Sequence, residues 1–171
     1  MTAYVALLRG VNLMGATTLR MADLKAIAER LGLGSPSTFI ASGNLLFTSS
    51  KSERAIKCLL EDVVGKHMSR DVGVMVRTGA EIAAVVSANP FSDEPGNRVV
   101  AIFLDAAPPK GAVSEAKNVA DERLALGRRE IYVHYPSGQG PSKLRIPAAA
   151  KGTARNMNTV AKLAQLAKEI E

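Results

Sequence analysis

Between Ala55 and Val64 apolar side chains fall at Ala55, Ile56, Leu59, Leu60, Val63 and Val64, which is one face of a helix. This is the strongest periodic segment of the chain, and what brackets it decides the fold class. Before it, "AYVALL" (Ala3 to Leu8) is apolar without alternation, as in a central strand buried on both faces. Met21, Leu24, Ile27, Ala28 and Leu31 mark a first helix that Gly32 and Gly34 can end. "STFIASGNLLFTS" reads as two short strands around Ser42-Gly43-Asn44, since Gly and Asn tolerate the positive φ of a tight hairpin. "DVGVMVRT" is a further strand, and Ala80 to Ala88 a further helix. The order contains a βαββαβ unit, so the expected class is α+β with a ferredoxin-like first half.

"NPFSDEPGN" punctuates the chain with two prolines and a glycine. Beyond it, "RVVAIFLD" reads as a strand, "PKGAVSEAKNVA" as a helix, and "ERLALGRREIYVHYP" as a hairpin turning near Gly127 to Arg129. Pro136 to Arg155 reads as a long loop with one short helical turn, and the chain closes in an amphipathic helix. The expected organisation is a ferredoxin-like half over 1–89, a linker over 90–97, and a smaller βαββα half over 98–171 packed against the first. The element order starts again in the second half without residue-level similarity to the first.

A single cysteine, Cys58, cannot form an internal disulfide, and the chain starts with no secretory leader pattern. Together these point to the cytoplasm. No apolar run approaches the roughly 18 residues of a membrane span. The net charge of +6 is unevenly placed: residues 1–97 carry +1 and residues 98–171 carry +5. Between Gly127 and Arg155 stand Arg128, Arg129, Lys143, Arg145, Lys151 and Arg155 against Glu130 alone. Such a local excess concentrates anionic partners, or it is a solvated face.

Several motifs fail on inspection. "GVNLMGAT" has the glycine spacing of a phosphate-binding P-loop, but Ala16 stands where the lysine is required. It reads as a glycine-hinged connection that leaves Arg9 and Asn12 for local hydrogen bonds. His67, His134 and Cys58 lack metal-ligand spacing, so no metal site is expected, and His134 reads as an exposed or half-buried structural histidine. Ser42 lies in "SGN", outside any nucleophile-elbow motif, and turn chemistry accounts for it. No motif names a cofactor.

The last helix is the anomaly. Val160, Leu163, Ala167 and Ile170 make its buried face, and Asn156 or Asn158 its N-cap. Lys151, Arg155 and Lys162 crowd the positive end of its dipole while Glu169 and Glu171 sit at the negative end, the reverse of the stabilising order. A positive helix entrance with free N–H groups is what an anion site requires. Caps and solvated charge are the alternative.

"YVALLRGVN", "MADLKA", "FIASGNLLF", "NPF", "SKLRIPAAA" and "GTARNMNTVAKL" resemble, in order and spacing, the bacterial family known as domain of unknown function sixteen ninety-seven. The resemblance implies a cytoplasmic α+β protein with ferredoxin-like features and brings no activity with it. Leu13-Met14 replace a smaller, glycine-rich pair usual in the family. Met157 replaces a usual Trp, which removes a surface for stacking on a base. The resemblance also suggests grouping Arg9, Asn12, Ser42, Asn44, Arg155, Asn156 and Asn158, which form one polar site if they converge in space; Lys143, Arg145 and Lys151 of the basic segment and Thr159 of the helix entrance complete the candidate anion-binding set. The functional expectation is a binding domain for a phosphorylated small molecule or a nucleic-acid backbone, acting as monomer or homodimer. An enzyme acting on an anionic substrate and a homo-oligomeric interaction module are the alternatives.

Overall fold

The computed structural model describes residues 1–13 and 18–171. Among these residues the fold is mixed α+β, with two four-stranded antiparallel sheets and four α-helices. The chain divides into two compact units, Met1–Ala83 with Leu163–Glu171, and Ala84–Lys162. The sequence places the division within 90–97 and keeps the whole last helix with the second half; contacts within the fold draw it differently.

In the first unit, strand β1 (Thr2–Leu8) is followed by α1 (Met21–Arg30), β2 (Gly34–Thr38), β3 (Asn44–Ser49), α2 (Glu53–Met68) and β4 (Val74–Thr78). The sheet order is β2-β3-β1-β4. Register runs Tyr4 opposite Phe47 and Ala6 opposite Leu45, and the Tyr4 and Phe47 rings stack with centroids 5.8 Å apart. On one face Tyr4, Ala6, Leu8, Leu45, Phe47, Val74 and Val76 meet Leu24 and Ile27 of α1 and Ile56, Leu60 and Val64 of α2. The alternate residues Val5, Leu7, Leu46 and Met75 are buried too, which is why "AYVALL" shows no alternation. Ser52 caps α2 by accepting from the Ala55 N–H, at 3.2 Å. Helix α3 (Gly79–Ser87) follows β4.

The second unit repeats the strand order with different connections. Strands β5 (Val99–Phe103), β6 (Arg123–Leu126), β7 (Glu130–His134) and β8 (Thr153–Asn156) form a sheet ordered β6-β7-β5-β8. The helix expected over "PKGAVSEAKNVA" is absent. Ala112 N donates to Pro109 O, Glu115 N to Gly111 O and Ala116 N to Val113 O, so separate turns form and do not propagate. The residues at helical spacing there are small, and only Ala112 is buried, so a helix would gain little from packing. The loop expected over Pro136–Arg155 holds its short turn, at Pro147–Ala149, but ends in strand β8, which the sequence hides because "TARN" is short and polar. Ala112, Leu144, Ile146, Ala148 and Ala149 from the two connections cover Val100, Ile131 and Val133 of the sheet. Helix α4 (Met157–Ile170) buries Met157, Val160, Leu163 and Ala167.

Candidate functional site

The "RGVN" and "SGN" segments come together at one end of the first sheet. Asn12, at φ 58°, donates from Nδ2 to Leu19 O (2.8 Å) and Ala41 O (2.7 Å), while its Oδ1 accepts from Leu19 N (2.6 Å). Asn44 is fully buried and donates to Phe39 O and to Ser42 Oγ, at 2.8 and 3.0 Å. Leu8 N donates to Gly43 O, and Gly43 sits at φ 88° where a side chain would strike Val11 and Leu8. Arg9 is exposed, with its N–H bonded to Gly73 O. Arg70 donates to Gly10 O at 2.8 Å. The amide of Asn12 therefore clasps backbone, while that of Asn44 ties the Phe39 carbonyl to the Ser42 hydroxyl. The part of the P-loop-like segment from Met14 to Thr17, with Ala16, lies outside the described residues.

At the entrance of α4 the side chains do different work from one another. Asn156 is the N-cap: its Oδ1 accepts from Thr159 N at 3.0 Å. Thr159 is buried. Asn158 is exposed and stands against Gly96, where there is no room for a larger residue. Arg155 is not an exposed flanking charge. It lies in β8 opposite Ala101, is 7% exposed, and donates from Nη1 to Thr153 Oγ1 (2.7 Å) and Ala154 O (2.9 Å). Burial lowers its pKa to about 10.

The remaining candidate cations lie on the connections of the second sheet. Lys117 and Arg145 exchange both backbone hydrogen bonds, at 2.8 and 2.9 Å. Their side chains therefore stand side by side, and like charges so placed repel. Lys143, two residues along, is exposed like Arg145, and Lys151 is exposed farther on. Among the described residues none of Lys117, Lys143 and Arg145 has a carboxylate partner, and no group of three His, Cys, Asp or Glu residues is placed to hold a metal.

One cluster was not anticipated. His134 is buried, at 5% exposure, rather than exposed or half-buried. Its Nδ1 faces the Arg123 guanidinium at 3.1 and 3.3 Å, and its Nε2 lies 3.5 Å from Glu94. Since arginine only donates, Nδ1 must accept and Nε2 carries the proton toward the carboxylate. Arg123 also pairs with Glu94 at 3.1 Å and covers the Phe91 ring at 4.9 Å. The expected hairpin turn misses the pair by one residue: counting outward from Gly127 to Arg129 sets Arg123 opposite Val133, whereas the register of the sheet, Leu126 opposite Ile131, sets it opposite His134.

Fold and site together define a small two-sheet α+β protein whose second sheet carries exposed cations on connections without α-helices. The chain belongs to the family described as "Protein of unknown function (DUF1697)", which matches residues 1–132. A conserved bacterial protein from Streptococcus pneumoniae, SP0830, has a similar fold: TM-score 0.80 at 24% identity, over 97% of this chain and 98% of that one. No curated protein matches the chain. Among the described residues no helix is long and apolar enough to cross a membrane.

Proposed function

We propose that the chain is a cytoplasmic binding protein that holds the phosphates of a nucleic-acid backbone on the face marked by Lys117, Lys143 and Arg145. The reading rests on one observation: paired backbone bonds set exposed Lys117 opposite exposed Arg145, with exposed Lys143 two residues along the chain and, among the described residues, no carboxylate partner for any of the three. An arrangement that costs stability in the free protein is offset when an anion with repeated charges lies across it. An exposed row of cations suits a polyanion better than an isolated small anion, which concave sites hold. We also read the first unit as a ferredoxin-like module, on its βαββαβ order and the sheet order β2-β3-β1-β4.

The test is the salt dependence of binding to a labelled duplex, followed by fluorescence anisotropy. Three phosphate contacts give a slope of log K against log salt of about −2.7, and removing one cation reduces it by about 0.9. Lys117→Gln and Arg145→Gln are the variants. Absence of binding, or binding indifferent to salt, rejects the reading. Arg155→Ala is a poor probe, because that side chain is buried and bonded within its own strand.

A further inference from the structure

The two irregular connections of the second sheet border a cleft of about 600 Å³ between residues 118–122 of one and 137–143 of the other. That volume lies in the range of small-molecule sites, roughly 300–1,000 Å³. Charges of both signs line it: Asp121 and Glu122 on one connection, Lys143 on the other. Opposite charges around one cleft ordinarily close on each other, yet Lys143 pairs with neither carboxylate.

Both carboxylates are instead held by neutral donors. Ser137 Oγ donates to Asp121 Oδ2 at 2.6 Å, which leaves Asp121 Oδ1 without a bond among the described residues. Ala120 N donates to Glu122 Oε1 at 3.0 Å, and Ser142 Oγ to Glu122 Oε2 at 3.3 Å. These bonds orient the carboxylates and leave their charge uncompensated, although Glu122 is only 7% exposed. A nearly buried carboxylate without a counter-charge is costly to the free protein. No aromatic ring lines the cleft, so it offers nothing for a base to stack on.

We infer that this cleft binds a small zwitterion, its ammonium group against Asp121 and Glu122 and its anionic group on Lys143. The shared chemistry is an amine and an anion in one small molecule, either an amino acid or a phosphorylated amine. The inference shares Lys143 with the nucleic-acid reading but does not rest on it: the carboxylates, which a polyanion avoids, carry the difference.

Isothermal titration of the full chain tests it with four probes. Serine and phosphoethanolamine carry both charges; ethanolamine and glycerol phosphate carry one sign each. At least one two-charge probe is expected to bind about tenfold or more tighter than either one-charge compound, and which one binds identifies the anion. Asp121→Asn, Glu122→Gln and Lys143→Gln should each weaken that probe by about tenfold. Glu122→Gln should melt no lower than the parent, since it removes an uncompensated charge and keeps an acceptor, and this separates lost binding from lost folding. Equal binding of the one-charge compounds, no binding by any probe, or undiminished binding by Asp121→Asn and Glu122→Gln overturns the inference. Duplex binding measured on Asp121→Asn tells the two readings apart. If it persists while zwitterion binding is lost, both stand; if zwitterions bind and the duplex does not, only the present one does.

Discussion

The two sheets share one strand order and are covered in opposite ways. In each, the unit's first and third strands are central and its second and fourth are edges. The first sheet is roofed by α1 and α2, whose Leu24, Ile27, Ile56, Leu60 and Val64 are fully buried. The second is roofed by turns whose larger contributors, Leu144 and Ile146, are only half-buried. The strand permutation thus survives the loss of its crossover helices, provided the connections still deliver some apolar cover. What changes is what else a connection can hold. A helix satisfies its own backbone groups, whereas an irregular connection must find partners for them, as the Lys117–Arg145 bridge does, and it can leave polar side chains around a cleft.

The largest expected effect tests that contrast. Leu60→Ala removes a fully buried side chain beneath a helix and should cost about 2 to 5 kcal/mol. Ile146→Ala, half-buried on a connection, should cost about 1 kcal/mol. Urea titration of both variants measures the difference. Equal losses would show that the irregular roof packs as tightly as the helical one, and the comparison would fail.

Next is the Asn12 clasp of the first unit. Asn12→Ala removes three hydrogen bonds and leaves a side chain at φ 58° that alanine tolerates poorly; a loss of about 2 kcal/mol is expected in the same titration. Asn12→Gly relieves the backbone strain and should not recover the bonds, so most of the loss should remain. Full recovery by glycine would mean that conformation, and not the clasp, carries Asn12's contribution.

How far these features were legible follows the same divide. Apolar periodicity marks α1 and α2, and unbroken apolar runs mark β1, β3 and β4, because burial there is repetitive and large; β2, Gly34–Thr38, has no apolar pattern and lies before the strand expected next to Ser42. In the turn at Ser42-Gly43-Asn44 only Gly43 takes the expected positive φ; Asn44 begins β3, and the second positive φ falls on Ile40, which no local pattern marks. In the second unit the signals thin out. Ala112, Val113, Ala116 and Val119 have helical spacing but too little side chain to sustain a helix, so periodicity misled. Strand β8 was invisible because backbone pairing with β5, not side-chain pattern, makes it a strand. Hence Arg155 looked like a helix-entrance charge when it is a buried strand residue. The cleft belongs to contacts between connections distant in sequence, which no local pattern records.

Arg155 also offers a test in alkaline solution. Its folded pKa, lowered to about 10 by burial, lies below its usual value of 12.5. Below pH 10 both states hold the proton and the fold bears the desolvation cost. As pH rises through about 10 the folded state sheds a proton that the unfolded chain keeps, so this group's contribution to stability increases, by up to about 1.4 kcal/mol per pH unit. Tyr132, raised to about 12 by burial and then by Glu130, acts oppositely: the unfolded phenol ionises first and stability falls above pH 10. Comparison with Arg155→Met cancels the tyrosine. Unfolding midpoints should move in favour of the parent between pH 9 and 11, and a constant difference would place Arg155 in a more solvated setting than its burial indicates.

The smallest effect decides what the entrance of α4 is for. Asn156 caps α4 as Ser52 caps α2, each accepting from the N–H three residues on. If capping is its whole role, Asn156→Ala should cost about 1 kcal/mol, much as Ser52→Ala does. Asn156→Asp should then gain a few tenths, because a carboxylate at a helix N-terminus keeps the cap and complements the dipole, while α4 has no acidic residue in its first turn to compete. An anion site at the same place predicts the opposite in the presence of ligand: the aspartate would repel it, and sulfate or phosphate would raise the melting midpoint of the parent and not of Asn156→Asp. Melting both proteins with and without phosphate therefore separates a cap from a site. Parallel shifts, or none, leave Asn156 as the counterpart of Ser52 and put anion recognition on the Lys117–Arg145 face alone.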